Sequence, residues 1–220
     1  RGLHASFMAK PIYGICGSGM HTNCSLAKGG VNAFYDPDAP RELSTACIHF
    51  IGGLLRHAKA ITRVANPTLH SYKRLVPGYE APCYISWSAG NRSALVRVPT
   101  PRGNSTRVEF RSPDPTCNPY LTFAAMLTAG MEGVREKIEP PAGVDKNIYH
   151  MAAEDRRCAG IETLPGDLYS AHQALLAGDL ICRALGPHVV EALTNVAEAE
   201  WEAYRTAVHP WELERYLATY

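Results

Sequence analysis

The period of the hydrophobic pattern changes along this chain, and that change restricts the fold more than any other feature. In the first half the pattern repeats every second residue, as half-buried strands do. Met20, Thr22, Cys24 and Leu26 fall on one face of such a segment, and His21, Asn23 and Ser25 fall on the other. Ala5 to Tyr13, Cys83 to Ser88, Ser93 to Pro99 and Thr106 to Ser112 read as further strands; in the last, Val108 and Phe110 oppose Arg107, Glu109 and Arg111. Helical spacing appears once among them, in residues 44 to 65, where Cys47, Phe50, Ile51, Leu54, Leu55, Ala58, Ile61 and Ala65 line one face until Asn66-Pro67 stops it. Asn118-Pro119 then offers an N-cap and an N1 proline for a helix to about Ile138, and from Leu164 the pattern is mostly helical. Strands first and helices after, with no internal repeat, low-complexity tract or linker, predict one α+β domain.

With 46% hydrophobic and 20% charged residues, the 220-residue chain is neither disordered nor fibrous. A domain of this length buries about 70% of its unfolded surface. No apolar run approaches the roughly 20 residues of a membrane span, and the N-terminal residues lack the apolar stretch of a signal peptide. Arg1 already stands next to a strand pattern with no initiating Met before it, so the chain is expected to be a piece of something longer. The seven scattered cysteines (16, 24, 47, 83, 117, 158 and 182) include no C-x-x-C pair. They read mostly as small buried hydrophobes in a reducing cytoplasm, with neither a disulfide framework nor a zinc knuckle.

The formal charge of +1 conceals a division. Up to Val108 there are 13 Lys and Arg against four acids, a net of +9; from Glu109 onward, 9 bases face 17 acids, a net of −8. Between Leu43 and Pro113, ten bases accompany only Glu80 and Glu109. Arginines held in strands and tight loops match carboxylate and phosphate oxygens two at a time, so the cluster suggests a small, highly anionic ligand. The alternative is pairing with acids of the C-terminal half, which is expected for Arg56, Arg63 and a share of the rest. Nucleic acid fits less well, because the bases are neither interleaved with exposed aromatics nor laid along one helix. Glu109 between Arg107 and Arg111 suggests either a structural ion-pair network or a metal, with His21 as a second ligand. Those two alone cannot satisfy Mg²⁺ or Mn²⁺, which take about six oxygen-rich ligands. Residues 67 to 83 form a long loop punctuated by Pro77-Gly78, and ordered loops of that length are often functional.

Several blocks carry a specific likeness. G-S-G-M-H at 17 to 21, N-P-T-L-H-S-Y-K-R-L-V-P-G-Y-E-A-P at 66 to 82, S-A-G-N-R-S at 88 to 93, T-R-V-E-F-R-S-P-D-P at 106 to 115, N-P-Y-L at 118 to 121 and D-K-N-I-Y at 145 to 149 resemble the type I glutamine synthetase family. The likeness runs from about residue 5 to the C-terminus. It implies that residues 1–220 are the C-terminal portion of a catalytic domain, without the N-terminal β-grasp domain and the first catalytic strands. The implied fold is α+β, an antiparallel sheet of glutamine synthetase/guanidino kinase type with helices packed on it. The implied activity is ATP-dependent ligation of ammonia to glutamate through γ-glutamyl phosphate, in a cytoplasmic dodecamer that binds neither nucleic acid nor membrane. The fragment alone is expected to be inactive.

Position by position, the resemblance implies that His21 and Glu109 bind Mg²⁺ (or Mn²⁺) next to ATP. Cys16, Gly17, Arg74, Glu80 and Arg111 would meet glutamate, and Asn23, Ser25, Arg92, Arg97 and Arg107 the nucleotide. Arg92 would reach the transferred phosphoryl group. Glu80 would be the mobile glutamate that shields the intermediate and takes a proton from ammonium. Cys16 stands where the family usually has Asn, and Gly90 replaces a usual basic residue. The former leaves room for a γ-glutamyl amine or polyamine ligase, and a non-catalytic relative is the third reading. Asn23 and V-H-P-W-E-L-E-R-Y match the branch not regulated by adenylylation, so Tyr149 is expected to be unmodified.

Overall fold

A computed structural model of the chain describes residues 2–220. In chain order its elements are β1 (Thr22–Cys24), β2 (Ala27–Lys28), β3 (Val31–Asn32), α1 (Thr45–Arg56), α2 (Ala58–Ala65), α3 (Ser71–Arg74), β4 (Tyr84–Ser88), β5 (Ala94–Arg97), β6 (Val108–Phe110) and α4 (Pro119–Glu136). The acidic half adds α5 (Ala153–Cys158), α6 (Leu168–Leu176), α7 (Asp179–Leu185), α8 (Pro187–Thr206) and α9 (Pro210–Tyr216). All six strands precede α4, with α1 to α3 inserted between β3 and β4, and from α4 onward every element among the described residues is a helix.

Four strands form one sheet in the order β1-β6-β5-β4, and β2 and β3 form a separate two-stranded ribbon. The sheet is mixed rather than wholly antiparallel. β6 runs antiparallel to both β1 and β5, but β4 and β5 are parallel, with a register shift between Tyr84 and Trp87. The physical reason lies in residues 89–93, which do not close a tight hairpin. Asn91 Nδ2 donates to the carbonyls of Val144 and Lys146, and Ser88 Oγ donates to Asp145, so the connection is tied to a distant segment instead.

Two further expectations change. Ala5 to Tyr13 is not a strand, because no ladder partner lies beside it among the described residues; Ala9 only accepts from Ser18 N and Lys10 N donates to His70. The helix expected over 44–65 is two helices. Ser44 Oγ caps the first by accepting from Cys47 N, but His57 leaves helical geometry (φ −100°, ψ 8°) as its ring pairs with Glu132 of α4.

The inner sheet face (Val96, Val108, Phe110, Trp87) packs on α1, α2 and α4 in one core that includes Phe34, Phe50, Ile51, Leu54 and Ile61. Each such fully buried side chain contributes about 1.5–3 kcal/mol. Helices α1 and α4 approach closely: a Cβ on Gly53 would stand 2.1 Å from the Ala129 carbonyl oxygen, and one on Gly133 would stand 2.1 Å from that of His49. Asn118 Oδ1 accepts from Tyr120 N and Leu121 N to start α4, and Lys137 at φ 52° ends it.

The charge division is bridged less than expected. Arg41–Asp145, Lys59–Glu162, His49–Glu139 and His57–Glu132 span it, but Arg56 and Arg63 are in none of these pairs. Arg63 is fully buried and donates to the carbonyls of Pro67 (3.2 Å) and Leu193 (2.7 Å), thereby tying α2 to α8; Arg56 is exposed. All seven cysteines are free: Cys47, Cys83 and Cys117 are buried, Cys24 and Cys182 half-buried, and Cys16 and Cys158 exposed. Among the described residues no helix is long and apolar enough to cross a membrane.

Candidate active site

The outer face of the sheet collects the charges. Exposure alternates along residues 20 to 26, leaving His21, Asn23 and Ser25 outward. Asn23 pairs in register with Glu109, and Glu109 with Arg97, so three strands put these side chains abreast on one face. Glu109 is buried there. Its Oε1 lies 3.2 Å from His21 Nδ1, its Oε2 accepts from Arg97 Nε at 2.5 Å, and Arg111 Nε lies 3.9 Å away. Burial alone would raise this carboxyl, but the hydrogen bonds from His21 and Arg97 and the charge of Arg97 override it and bring its pKa down to about 2. Glu109 is therefore a permanent anion. Arg107 Nε donates to Asn23 Oδ1 at 3.0 Å and extends the row.

A fixed carboxylate beside an imidazole suits a hard divalent cation in donor type and charge. Among the described residues, however, no group of three or more His, Cys, Asp or Glu side chains is placed to hold one. His21 and Glu109 thus fit as part of a ligand shell whose other oxygens come from elsewhere.

Next to this pair is a cavity of about 160 Å³ lined by Cys16, Gly17, Gly19, His21, Arg74, Tyr79, Glu80, Ala81 and Arg111. All five residues expected to meet glutamate are here, together with His21. A Cβ on Gly19 would stand 2.5 Å from Arg74 Nη2 and 3.0 Å from His21 Nε2, so only glycine lets these two side chains share the wall. The two arginines differ in what they have left to give. Arg74 donates from Nη1 to Ser112 O (2.6 Å) and from Nη2 to Arg111 O (3.1 Å), and thereby pins the end of β6. Arg111 makes only long contacts, at 3.3 Å to Ala94 O and 3.5 Å to Glu80 O, and its donors remain available to an anion.

Glu80 is exposed on the Pro-Gly loop and has φ 58°, a left-handed conformation that a non-glycine residue adopts at a cost. It faces two ways. It also lines a second cavity of about 300 Å³ with Gly78, Asn91, Arg92, Ser93, Asn147, Tyr149 and His150. Arg92 is exposed there, away from Arg97 and Arg107 on the sheet face. Asn23 and Ser25 adjoin a third cavity, about 260 Å³ and mostly apolar, with Phe50, Phe123, Met126 and Leu127 in its wall.

Tyr79 and Lys10 were not foreseen. Lys10 Nζ lies 3.9 Å from the centre of the Tyr79 ring and donates to Ile15 O, which fastens the N-terminal segment to the loop. The tyrosine between Gly78 and Glu80 was the available signal, but a period-2 reading of residues 5 to 13 hid Lys10.

The family model for the glutamine synthetase catalytic domain matches residues 1–216. Glutamine synthetases of Thermotoga maritima (58% identical over 216 residues, 98% of this chain), Thermus thermophilus (54% over 219, 100%) and Methanosarcina mazei (53% over 218, 99%) are among its relatives. The chain spans about half the length of these curated relatives, 49% of each, and matches their C-terminal half. A solved complex of GmaS with ADP superimposes with a TM-score of 0.86 at 35% identity, over 97% of this chain and 49% of that one. An apo GmaS structure gives 0.83 at the same identity, over 96% and 48%. Sequence blocks, sheet and helices, and relatives agree: the chain belongs to the glutamine synthetase family, within its catalytic domain.

Proposed function

We propose that the complete subunit, of which residues 1–220 are the C-terminal portion of the catalytic domain, ligates ammonia to glutamate at the expense of ATP. Glutamine, ADP and phosphate are the products, and γ-glutamyl phosphate is the intermediate. The observation that supports this best is the convergence of Cys16, Gly17, His21, Arg74, Glu80 and Arg111 on one cavity beside the ionised Glu109.

Arg111 holds a glutamate carboxylate through its free donors, and Arg74 keeps Arg111 and the end of β6 in place. Asn23, Ser25, Arg97 and Arg107 form the nucleotide side, and Arg92 stabilises charge on the phosphoryl group in transfer. His21 and Glu109 are two of the ligands of Mg²⁺ (or Mn²⁺), which, when bound, neutralises charge on the phosphate oxygens. Glu80 covers the cavity, keeps water from the acyl phosphate and accepts a proton from ammonium. The same reading assigns a complete antiparallel sheet of guanidino kinase type, a cytoplasmic location and a dodecamer to the whole enzyme.

Incubating the complete subunit with ATP, glutamate, ammonium and Mg²⁺ should yield glutamine, and Arg111→Ala should abolish it; retained activity in that variant would sink the site assignment. Cys16 supports a second acceptor class, because a thiol in the cavity wall cannot make the bonds of an amide. Polyamines and ethanolamine offered in place of ammonium decide between the two.

A further inference from the structure

Tyr149 belongs to none of the roles above, yet its side chain links the two loops that carry Glu80 and Arg92. It sits on a short turn, Ile148–His150, whose N-cap Asn147 accepts from Tyr149 N at 3.1 Å. That turn is fixed to the loop of Arg92. Ile148 N donates to Ser93 Oγ at 3.0 Å, Ser93 N and Oγ both donate to Asn91 Oδ1, and Asn91 Nδ2 donates to Val144 O and Lys146 O. From this anchored base the phenol crosses to the other loop. Tyr149 Oη donates to Ala81 O at 2.5 Å, while its ring packs against Tyr84 with centroids 6.1 Å apart.

Ala81 is buried and directly follows Glu80, whose strained φ needs its neighbours to hold it. On the far side of the loop, among the described residues, the one tie to Glu80's own carbonyl is the long contact from Arg111. The phenol therefore clamps the loop at the point where it leaves the protein surface. Its proton stays in place at ordinary pH, since burial pushes the phenol up to about 12.

We infer that Tyr149 is a positioning residue, a latch whose hydroxyl fixes the Glu80 loop at Ala81 and couples it to the Arg92 loop across their shared cavity. The latch sets how well Glu80 excludes water from the acyl phosphate, and in that respect it rests on the proposed ligase reading. Its existence as a mechanical tie does not.

The test is Tyr149→Phe in the complete subunit, which removes one oxygen and keeps the ring on Tyr84. Hydrogen exchange of the amides of residues 79 to 81, the last three before Pro82, should quicken about fivefold, the factor a single net hydrogen bond supports, while β4 and β5 stay unchanged. With ATP, glutamate and ammonium, phosphate released per glutamine formed should rise by a similar factor and the KM for ATP should hold. Unaltered exchange in the loop overturns the latch. Looser exchange with an unaltered phosphate-to-glutamine ratio overturns the positioning role. If the unsubstituted subunit makes no glutamine at all, the ligase reading fails, and the exchange data alone decide whether the tie exists.

Discussion

The sheet face around Glu109 and the C-terminal helices handle charge in opposite ways. Among the described residues, the buried Lys, Arg, Asp and Glu side chains all lie between Lys10 and Asp114: Lys10, Arg63, Arg74, Glu109, Arg111 and Asp114. The cations donate to main-chain carbonyls, Glu109 accepts from Arg97 beside His21, and Asp114 accepts from Asn66 and Thr116, so each geometry is fixed. In the helices, Arg157–Glu154, Arg183–Asp179 and Arg205–Glu202 are local pairs with both members more than half exposed. Water can replace those contacts at little loss, whereas a buried charge stripped of its partner has nothing to replace it. The region that immobilises buried charge also lines the cavity shared by Arg74, Glu80 and Arg111, which is the expected signature of a site built for anionic ligands.

Substitutions that separate the two regions should fall in a definite order. Arg111→Ala heads it: kcat/KM for glutamine formation by the complete subunit should fall by about 10³-fold, within the range for loss of one fixed donor at a reacting centre. Next, Glu109→Gln leaves Arg97 and Arg111 without their anion; denaturant unfolding should show a loss of about 3 kcal/mol, and titration with Mn²⁺ should show weakened binding. Arg74→Met should cost about 2 kcal/mol by unpairing the carbonyls of Ser112 and Arg111, and its loss of activity should track unfolding. If Arg74→Met stayed fully folded but lost glutamate binding, the contrast between the two arginines would be wrong. Last, Arg205→Ala should change stability by less than about 0.5 kcal/mol, with no change in activity and with what effect there is fading in salt. A loss comparable with that of Arg74→Met would erase the distinction between regions.

Much of this was legible beforehand because it depends on local pattern. The alternation over residues 20 to 26 reports a strand with one wet face, and Asn118-Pro119 reports a helix start, since both are set by neighbours within a few positions. The candidate residues were legible through long ordered blocks, and Cys16, Gly17, His21, Arg74, Glu80 and Arg111 do share a wall. What local pattern misjudged was pairing. Ala5 to Tyr13 has strand character but no ladder partner among the described residues, and β4 and β5 run parallel, their connection tied through Ser88 and Asn91 to residues 144 to 146. Arg63 reads as a partner for acids of the C-terminal half, yet tertiary packing buries it against the carbonyls of Pro67 and Leu193.

The sequence by itself determined the order of elements and the basic and acidic halves, because composition and periodicity are properties of neighbours along the chain, and its blocks resembling the family named the candidate site residues. Only the tertiary structure decided which charges are fixed and which are free. Arg74 and Arg111 look alike in sequence and line the same cavity, but Arg74 holds the Ser112 and Arg111 carbonyls at 2.6 and 3.1 Å, whereas Arg111 reaches those of Ala94 and Glu80 only at 3.3 and 3.5 Å. The +9 of the first half follows the same rule: its effect depends on where each guanidinium finds an acceptor, and hydrogen-bond partners 37 to 130 residues apart are chosen by packing, not by sequence spacing.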